Sequence, residues 1–365
     1  MKYYQIADLS ICAEEMPRSY QKFEVAASMY SDCVVRKLLD EPRENENNLV
    51  DVGEFWAAET SDGKILKSKE NNVKIVVTDQ KISVWKKNDT AATCHFAEYL
   101  LRVALECMLI SRGCISLHSA CVIKDGQAYC FSGKSGIGKS TRAKQWVDTL
   151  GAEWLSGDRP TVECRNGIAF GVPWDGKEMI FKPYSAPLRG IFLVYRSPYI
   201  DLFRFTPACA MKLLATQCFV PMWDTALSAQ AIQNLSHLVK NVPVYQLFCG
   251  VSPNDAFKVL DILKKNDSNL KEVDMMFHLK DGFTVRNIAG EYMALPVAEN
   301  IAAFNGTVVL NDVSAFILER LKQPLSQEEL LKLILAEYEI DKDTAARDLN
   351  DLLRKLDAYG MIEVL

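Results

Sequence analysis

Apolar and polar residues alternate in short runs through the first 91 residues, which is the pattern of β-strands separated by polar turns. The runs at 73–78 and 81–85 flank Asp79-Gln80, and this arrangement predicts a hairpin. Residues 41–48 are charged and rich in asparagine, so we assign them to a loop. Because this part carries no chemical motif, we predict a small N-terminal β-rich module over residues 1–91, without an assigned role.

From residue 92 the apolar spacing changes to that of a helix, which Gly113 is placed to end. Two apolar runs, 115–123 and 127–131, then meet at Asp125-Gly126, a dipeptide typical of hairpin turns. After a glycine-rich loop comes a second helix, near residues 140–150. Strands are predicted at 190–195 and 242–248, with a polar linker at 264–269. We treat residues 92–270 as one domain.

The last region, residues 271–365, begins with strand-like runs at 283–288 and 292–295. Ser326 followed by Glu329 fits a capping box at the start of a helix. Three helical patterns lie near residues 313–321, 327–338 and 344–359. The whole pattern predicts a multidomain chain of mixed α/β and α+β class.

Composition and charge narrow the class of protein. Hydrophobic residues make up 49% and charged residues 24%, and the net charge is −5, so no global field attracts nucleic acid or an anionic membrane. The chain has eleven cysteines, with no Cys-x-x-Cys pair, and four histidines, which favours free, mostly buried thiols over a zinc site. The N-terminus lacks a signal peptide, and the apolar stretch 96–110 carries charges. We therefore expect a cytoplasmic protein that does not enter the membrane.

The most specific motif is Gly133-Lys-Ser-Gly-Ile-Gly-Lys-Ser140, a complete G-x-x-x-x-G-K-[ST] pattern between a strand and a helix. Glycines let consecutive N–H groups turn toward phosphate oxygens, and the following helix adds its positive end. Lys139 can reach the β and γ phosphates, and the Ser140 hydroxyl can bind Mg²⁺. The predicted nucleotide-binding residues are Gly133, Lys134, Ser135, Gly136, Ile137, Gly138, Lys139, Ser140 and Thr141. A degenerate loop that binds nucleotide without chemistry is the alternative.

Two further residues flank this loop in sequence. His118 ends the run Ile115-Ser-Leu-His, and Asp158 follows the strand-like run 153–156. In a strand–loop–helix–strand unit the end of the second strand returns beside the phosphate loop, where an acid can bind Mg²⁺ or accept a hydroxyl proton. Each residue has a plainer interpretation, a structural histidine and a turn aspartate, but their joint spacing favours function.

His118, the loop 133–141 and Asp158 together resemble the HPr serine kinase superfamily, whose fold is similar to that of phosphoenolpyruvate carboxykinase. The resemblance implies a kinase core that uses ATP and Mg²⁺, with GTP, ADP and pyrophosphate left open as donors. It implies that Lys139 holds the transferred phosphate, that Ser140 and Asp158 bind the metal, that Asp158 accepts the proton of the target serine, and that His118 positions the γ-phosphate. Because relatives of this kinase form oligomers, it also implies a homo-oligomer.

The chain departs from that family at two places. Gly157 stands where the family has the first acid of a pair, and its Glu-x-Arg-Gly stretch has no match. At about that distance lies Gly171-Val-Pro-Trp-Asp-Gly-Lys177, a pattern that resembles peptide-tailoring relatives of the kinase. Asp175 or Glu178 is a candidate for the missing metal ligand, while Trp174 is explained as well by packing.

Most of residues 277–365 resemble the small precursor-binding domains of peptide natural-product pathways, of the pyrroloquinoline-quinone biosynthesis protein D type. The resemblance lies in the runs 281–292, 304–311, 336–341 and 356–362. It implies a winged-helix-like unit that takes a leader peptide as an added strand. The alternative is a DNA-binding winged helix, but residues 271–365 carry 10 basic against 17 acidic residues, a net charge of −7. A reader of the phosphate backbone needs a basic face, so we predict a peptide partner and no nucleic acid.

These features predict an ATP-dependent kinase that phosphorylates a hydroxyl, with serine as the expected acceptor, on a precursor peptide held by the C-terminal domain. Two alternatives stay open. One is a nucleotide-binding peptide adaptor or chaperone without phosphate transfer, and the other is a kinase of a small molecule.

Overall fold

The computed structural model describes residues 1–27, 30–42, 49–60, 63–174, 180–197, 200–250, 252–280, 282–288, 290–296, 308–323 and 325–364. The chain divides into two compact units, Met1–Lys271 and Glu272–Leu365. The first unit combines the residues that the sequence analysis assigned to an N-terminal module and to a phosphate-loop domain. The boundaries of the three predicted domains stay a prediction.

The first sheet of unit 1 confirms the predicted β-rich character of the N-terminal residues. Its strands are Lys2–Ile6 (β1), Leu9–Ala13 (β2), Glu24–Val25 (β3), Cys33–Lys37 (β4), Val50–Asp51 (β5), Phe55–Thr60 (β6), Gly63–Ser68 (β7), Val73–Val77 (β8) and Lys81–Lys86 (β9). They follow the order β3-β1-β2-β4-β9-β8-β7-β6-β5. Strand β4 pairs in parallel with β2 on one side and β9 on the other. The predicted hairpin at Asp79-Gln80 is confirmed as the antiparallel pair β8–β9.

Helix α1 (Ala91–Ser111) covers this sheet. The helix begins where the Thr90 side chain accepts the N–H of Thr93, and it ends before Gly113, whose φ of 84° suits glycine. Its buried face, with Leu100, Val103 and Ala104, joins one apolar core with the strands. Burying each large aliphatic side chain stabilises the unit by roughly 1.5–3 kcal/mol.

The second sheet of unit 1 carries the glycine-rich loop. Its strands are Cys114–Ser116 (β10), Ser119–Lys124 (β11), Gln127–Ser132 (β12), Glu153–Ser156 (β13), Thr161–Glu163 (β14), Ile168–Phe170 (β15), Ser185–Arg196 (β16), Asp201–Phe205 (β17) and Val244–Cys249 (β18). The path β10-β14-β15-β16-β12-β11-β13 continues from β16 to β18 and β17. Strands β12, β16 and β18 are parallel neighbours, so their carboxyl ends meet at one edge.

Four helices of unit 1 follow: Lys139–Leu150 (α2), Pro207–Ala215 (α3), Thr225–Asn241 (α4) and Asn254–Asn266 (α5). Helices α2 and α5 share an apolar core with the second sheet, in which Trp146 of α2 packs against Phe131 and Phe192. This packing fixes the first helix after the loop against the strand that precedes the loop.

The turn at Asp125-Gly126 confirms the predicted hairpin between β11 and β12. Both residues have positive φ, 52° and 76°, as a type I′ turn requires. The prediction of one strand over 115–123 is wrong at its middle, because the N–H groups of Leu117 and His118 bond elsewhere, to the carbonyl oxygens of Pro160 (3.1 Å) and Gln217 (2.7 Å).

The predicted linker at 264–269 is also wrong. Helix α5 continues to Asn266, and a 3₁₀ turn follows at Asp267–Asn269. The Asp267 carboxylate accepts hydrogen bonds from Arg189 and from the Tyr245 hydroxyl, the latter at 2.6 Å. These contacts with distant residues order a segment whose composition alone is typical of a linker.

Unit 2 is described by itself. Its strands are Glu272–Val273 (β19), Met276–Leu279 (β20), Phe283–Ile288 (β21), Glu291–Pro296 (β22), Val308–Leu310 (β23), Leu325–Ser326 (β24) and Ile362–Val364 (β25), and its helices are Asp312–Arg320 (α6), Gln327–Glu337 (α7) and Lys342–Ala358 (α8). The pairings β24-β20-β25 and β21-β22-β23 form two small sheets. The predicted capping box of Ser326 and Glu329 is confirmed at the start of α7. Residues 304–307 of the expected run lie outside the described residues.

Cysteine burial agrees with the prediction of free thiols. The described cysteines are all free, and most are buried. Burial raises the pKa of several, to about 12 for Cys33 and Cys114. In the described part of the chain, no helix combines the length and apolar character needed to cross a membrane.

Candidate functional site

The glycine-rich loop joins the end of β12 to the start of α2. Gly133, Gly136 and Gly138 have φ values of 133°, 79° and 112°, a region that side-chain-bearing residues rarely adopt. A Cβ on Gly133 would lie 3.4–3.5 Å from Ile137 and the Val194 backbone, which is ordinary contact, so the backbone angle and not space requires glycine there. The glycine spacing of the motif therefore serves a specific backbone path, and the predicted strand–loop–helix context is confirmed.

The N-terminus of helix α2 has free N–H groups that can bind an anion. Its N-cap is Gly138, which has no side chain to satisfy the first N–H groups of the helix. These groups and the helix dipole produce a partial positive charge at the loop. Ser140 is half-buried and Thr141 is exposed in this first turn, so polar atoms of both the backbone and the side chains are available to a phosphate.

The Lys139 side chain folds over the loop. Its Nζ donates to the carbonyl oxygens of Gly133 (3.0 Å) and Lys134 (3.3 Å). Burial lowers the pKa of this amine, and the negative charge of Asp158 opposes that shift. The Asp158 charge therefore acts on the Lys139 amine, and the Lys139 charge in turn lowers the pKa of Asp158.

Two arginines that the sequence analysis missed hold the loop and its helix. Arg196, the last residue of β16, donates through Nη2 to the carbonyl oxygen of Gly136 at 2.7 Å. Arg142 of α2 is 5% exposed and donates to the carbonyl oxygen of Gly250. The sequence held one signal that could have identified Arg196. It directly follows the predicted strand 190–195, and the ends of parallel strands lie side by side, so its side chain can reach the loop after β12.

The structure brings His118 and Asp158 together. His118 Nε2 lies 3.3 Å from Asp158 Oδ1. The His118 carbonyl oxygen accepts the hydroxyl of Ser132 (2.8 Å), the last residue of β12, and the Asp158 carbonyl oxygen accepts the N–H of Ser119 (2.7 Å). The same strand end that leads into the loop thus also holds the histidine.

The electrostatics favour an ionised Asp158. The hydrogen bond from His118 lowers the pKa of the Asp158 carboxyl most, burial opposes this, and the charges of Arg159, His118 and Lys139 lower it further. Arg159 Nε lies 3.6 Å from Asp158 Oδ2. At neutral pH the carboxylate can accept a hydroxyl hydrogen bond or bind a metal.

Glu106 of α1 is a further group that the sequence analysis missed. Its side chain is 2% exposed, so its carboxyl group is removed from solvent. Burial raises its pKa, while the charges of Arg102, at 3.7 Å, and Arg159 lower it. The charge of Asp158 raises it as well. The charge of Arg159, which contacts Asp158, therefore also acts on the buried carboxyl group of Glu106.

The oxygen atoms of Ser140 and Asp158 are suitable ligands for Mg²⁺. The Ser140 hydroxyl and the Asp158 carboxylate are oxygen donors of the kind Mg²⁺ prefers, and the ion commonly keeps water and phosphate oxygens for its other positions. Within the described ranges, no group of three or more His, Cys, Asp or Glu residues could hold a metal. The candidate ligands Asp175 and Glu178 lie outside the described residues.

Position 157 has room for a side chain. The Gly157 N–H donates to the Ile180 carbonyl oxygen at 2.8 Å, and a Cβ would lie 3.4–3.5 Å from Ile180 atoms, which is ordinary contact. Space therefore does not require glycine at this position. Trp174 is 4% exposed and belongs to the first apolar core, which agrees with a packing role.

Comparison with known proteins finds a family match in unit 2. Two solved structures are similar to about a quarter of the chain: TbiB1 in complex with the TbiA(beta) leader peptide (28% identity, 24% of this chain and 94% of that chain, TM-score 0.21) and lasso peptide synthetase B1 complexed with the leader peptide (25% identity, 24% and 96%, TM-score 0.21). No curated protein matches the chain. Residues 291–362 match the family model of Coenzyme PQQ synthesis protein D (PqqD), so the C-terminal unit contains a PqqD-like domain.

Proposed function

We propose that this protein is an ATP-dependent kinase that transfers phosphate to a hydroxyl, most simply that of a serine, on a ribosomally made precursor peptide. The observation that carries the proposal is the contact between His118 and Asp158. The pKa of Asp158 is lowered, so its carboxyl group is ionised, and the charges of Asp158 and Lys139 each shift the pKa of the other group. Taken with the complete phosphate-loop motif, it supports an HPr kinase-like core in unit 1.

The loop residues bind the nucleotide in this proposal. Backbone N–H groups between Gly133 and Ser140 and the start of α2 contact the phosphates, and Lys139 turns from the loop carbonyls to the β and γ phosphates. Ser140 and Asp158 hold Mg²⁺, which supplies charge neutralisation when bound.

Asp158 and His118 act on the acceptor. The hydroxyl oxygen of the peptide forms a bond to the γ-phosphorus while the bond from that phosphorus to the bridging oxygen of ADP breaks. The hydroxyl proton passes to Asp158, which His118 orients through the 3.3 Å contact. The two side chains are 31% and 27% exposed, so an acceptor can reach them from solvent.

The PqqD-like domain binds the leader part of the same precursor. The match of residues 291–362 to that family supports this role, and the excess of acidic residues in unit 2 disfavours DNA. Holding the leader raises the effective concentration of the acceptor at the kinase site without any new contact at that site.

The test is intact-mass analysis of a precursor peptide after incubation with ATP, Mg²⁺ and the full chain. The candidate substrate is the product of a short reading frame beside this gene that contains serine. We expect the mass to rise by one phosphate with the wild-type protein and not with Asp158→Asn. A version of the peptide without its leader should react more slowly at the same concentration, and equal rates would contradict the role of the C-terminal domain.

A second candidate, a nucleotide-dependent peptide adaptor, is favoured by one observation. Position 157 holds glycine although an acid would fit there, so Asp158 stands alone at the place where the kinase family has a pair of acids. Binding of both nucleotide and peptide by calorimetry, with no phosphate on any peptide, would establish this function in place of the kinase.

A further inference from the structure

A separate cavity of about 390 Å³ lies in unit 1, between the first sheet and the start of α1. Its walls come from residues 15–18 and 35–37, from Val84 and Lys86, and from positions 94, 95, 97, 98 and 101 of α1, and none of them belongs to the glycine-rich loop. Central strand β4 and the capped start of α1 form two of these walls. The cavity is therefore built on rigid elements and has the volume of a small-molecule site.

The floor of this cavity is apolar. Met16, Val35, Ala97 and Leu101 line it and are between 3% and 9% exposed. A ligand with an apolar body gains free energy there because its surface and the floor leave water together.

The rim is cationic, in contrast to the chain as a whole, whose net charge is −5. Four basic residues line the cavity against two acidic ones: Arg18, Arg36, Lys37 and Lys86 against Glu15 and Glu98. Glu98 already accepts the Ser19 hydroxyl at 2.5 Å, and Lys86 pairs with Asp89 at 2.6 Å. Arg18 and Arg36 form no ion pair with any residue that the structure describes, so two guanidinium groups are available beside an apolar floor.

We propose that this cavity binds a small organic anion with an apolar body, such as an aromatic carboxylate or sulfonate. Guanidinium groups match the planar geometry of such anions and bind them by charge-assisted hydrogen bonds. An extended peptide is disfavoured, because β4 is paired on both sides and offers no free edge for an added strand. The proposal is independent of the kinase activity.

The first measurement uses 8-anilinonaphthalene-1-sulfonate, a fluorescent aromatic anion, with the full-length protein. We expect saturable binding that weakens about tenfold or more in the double variant Arg18→Ala/Arg36→Ala, the effect of losing charge-assisted contacts. The matched control is Lys144→Ala/Arg165→Ala, which removes two exposed cations elsewhere and should bind like wild type. The uncharged analogue N-phenyl-1-naphthylamine should bind weakly to all three proteins.

The second measurement locates the ligand. Cys94 lines the cavity and is exposed, whereas the other described cysteines are buried or, for Cys218, half-buried. We expect the sulfonate to slow alkylation of Cys94 by iodoacetamide, followed by peptide mass spectrometry, and Mg-ATP to leave it unchanged. Equal affinity in the Arg18/Arg36 variant, unprotected Cys94, or protection of Cys94 by Mg-ATP would each overturn the proposal.

Discussion

The imidazole Nε2 of His118 lies 3.3 Å from Oδ1 of Asp158, and the backbone of each residue is bonded to a neighbouring segment. The His118 N–H donates to Gln217, and the Asp158 carbonyl oxygen accepts the N–H of Ser119. The main chain thus places the two residues side by side, and the 3.3 Å contact between their side chains then orients the Asp158 carboxylate. Changing one side chain should therefore test its chemistry without moving the backbone.

Asp158→Asn should abolish phosphate transfer while nucleotide binding persists. Loss of a positioned proton acceptor costs about 10²–10⁴-fold in rate, whereas the loop that binds the phosphates is unchanged. Transfer is followed by intact mass, and nucleotide binding by calorimetry. Asp148→Asn, at an exposed helix position paired with Lys144, is the control. Transfer at the wild-type rate in Asp158→Asn would remove its proposed role.

Lys139→Ala should lower nucleotide affinity and abolish transfer. The amine is the positive charge that lies directly over the loop, within 3.3 Å of two of its carbonyl oxygens. Lys144→Ala, one turn further along the same helix, removes an equal charge from a solvent-exposed ion pair and should retain full activity. If the two variants lost nucleotide affinity equally, the effect would come from net charge and not from the loop.

Arg196→Ala should weaken nucleotide binding with little loss of stability. The guanidinium donates to the Gly136 carbonyl oxygen at 2.7 Å and holds the loop from outside, and Arg196 is exposed. A hydrogen bond from a charged group contributes about 1.5–3 kcal/mol where water is excluded and less where the group is exposed, as Arg196 is. We therefore expect the Kd for Mg-ATP to rise by about tenfold at most. Calorimetry gives the affinity, and thermal unfolding checks the fold. An unchanged Kd would show that the loop keeps its shape without this anchor.

Glu106→Gln should stabilise the protein at high pH. Burial raises the pKa of Glu106 in the folded state, so the folded chain binds this proton more tightly than the unfolded chain. The stability that the group contributes is complete below its ordinary pKa of 4.5 and is lost as the pH rises through the folded pKa. Glutamine does not ionise, so the stability of the variant should not fall in this way as the pH rises.

We expect the Tm of Glu106→Gln to exceed that of wild type at pH 8 by more than at pH 5. Each 1 kcal/mol corresponds to a shift of about 2–4 °C in a domain of 150–250 residues. Glu98→Gln serves as the control, because its carboxylate lies on the same helix and accepts the Ser19 hydroxyl. A Tm difference that is constant between the two pH values would contradict the raised pKa of Glu106.

Local features of the fold followed from the sequence. The turn at Asp125-Gly126, the capping box at Ser326 and the loop between Gly133 and Ser140 depend on the φ angles and hydrogen bonds of a few neighbouring residues. Such features are encoded where they occur, so residue types and their spacing suffice to predict them. The prediction that Asp158 returns beside the loop has a related basis, because the order of strand, loop, helix and strand restricts where the second strand can end. The contact of Asp158 with His118 was not predicted.

The tertiary structure decided what depends on distant partners. The sequence could not show that Leu117 and His118 leave their strand, since their N–H groups bond to Pro160 and Gln217. Nor could it show that Arg196 supports the loop, that Glu106 is buried near Asp158, or that four separate stretches enclose a cationic cavity. Burial, charge coupling and cavity shape arise only when remote segments pack together, because each is a property of the assembled surroundings and not of the residue itself.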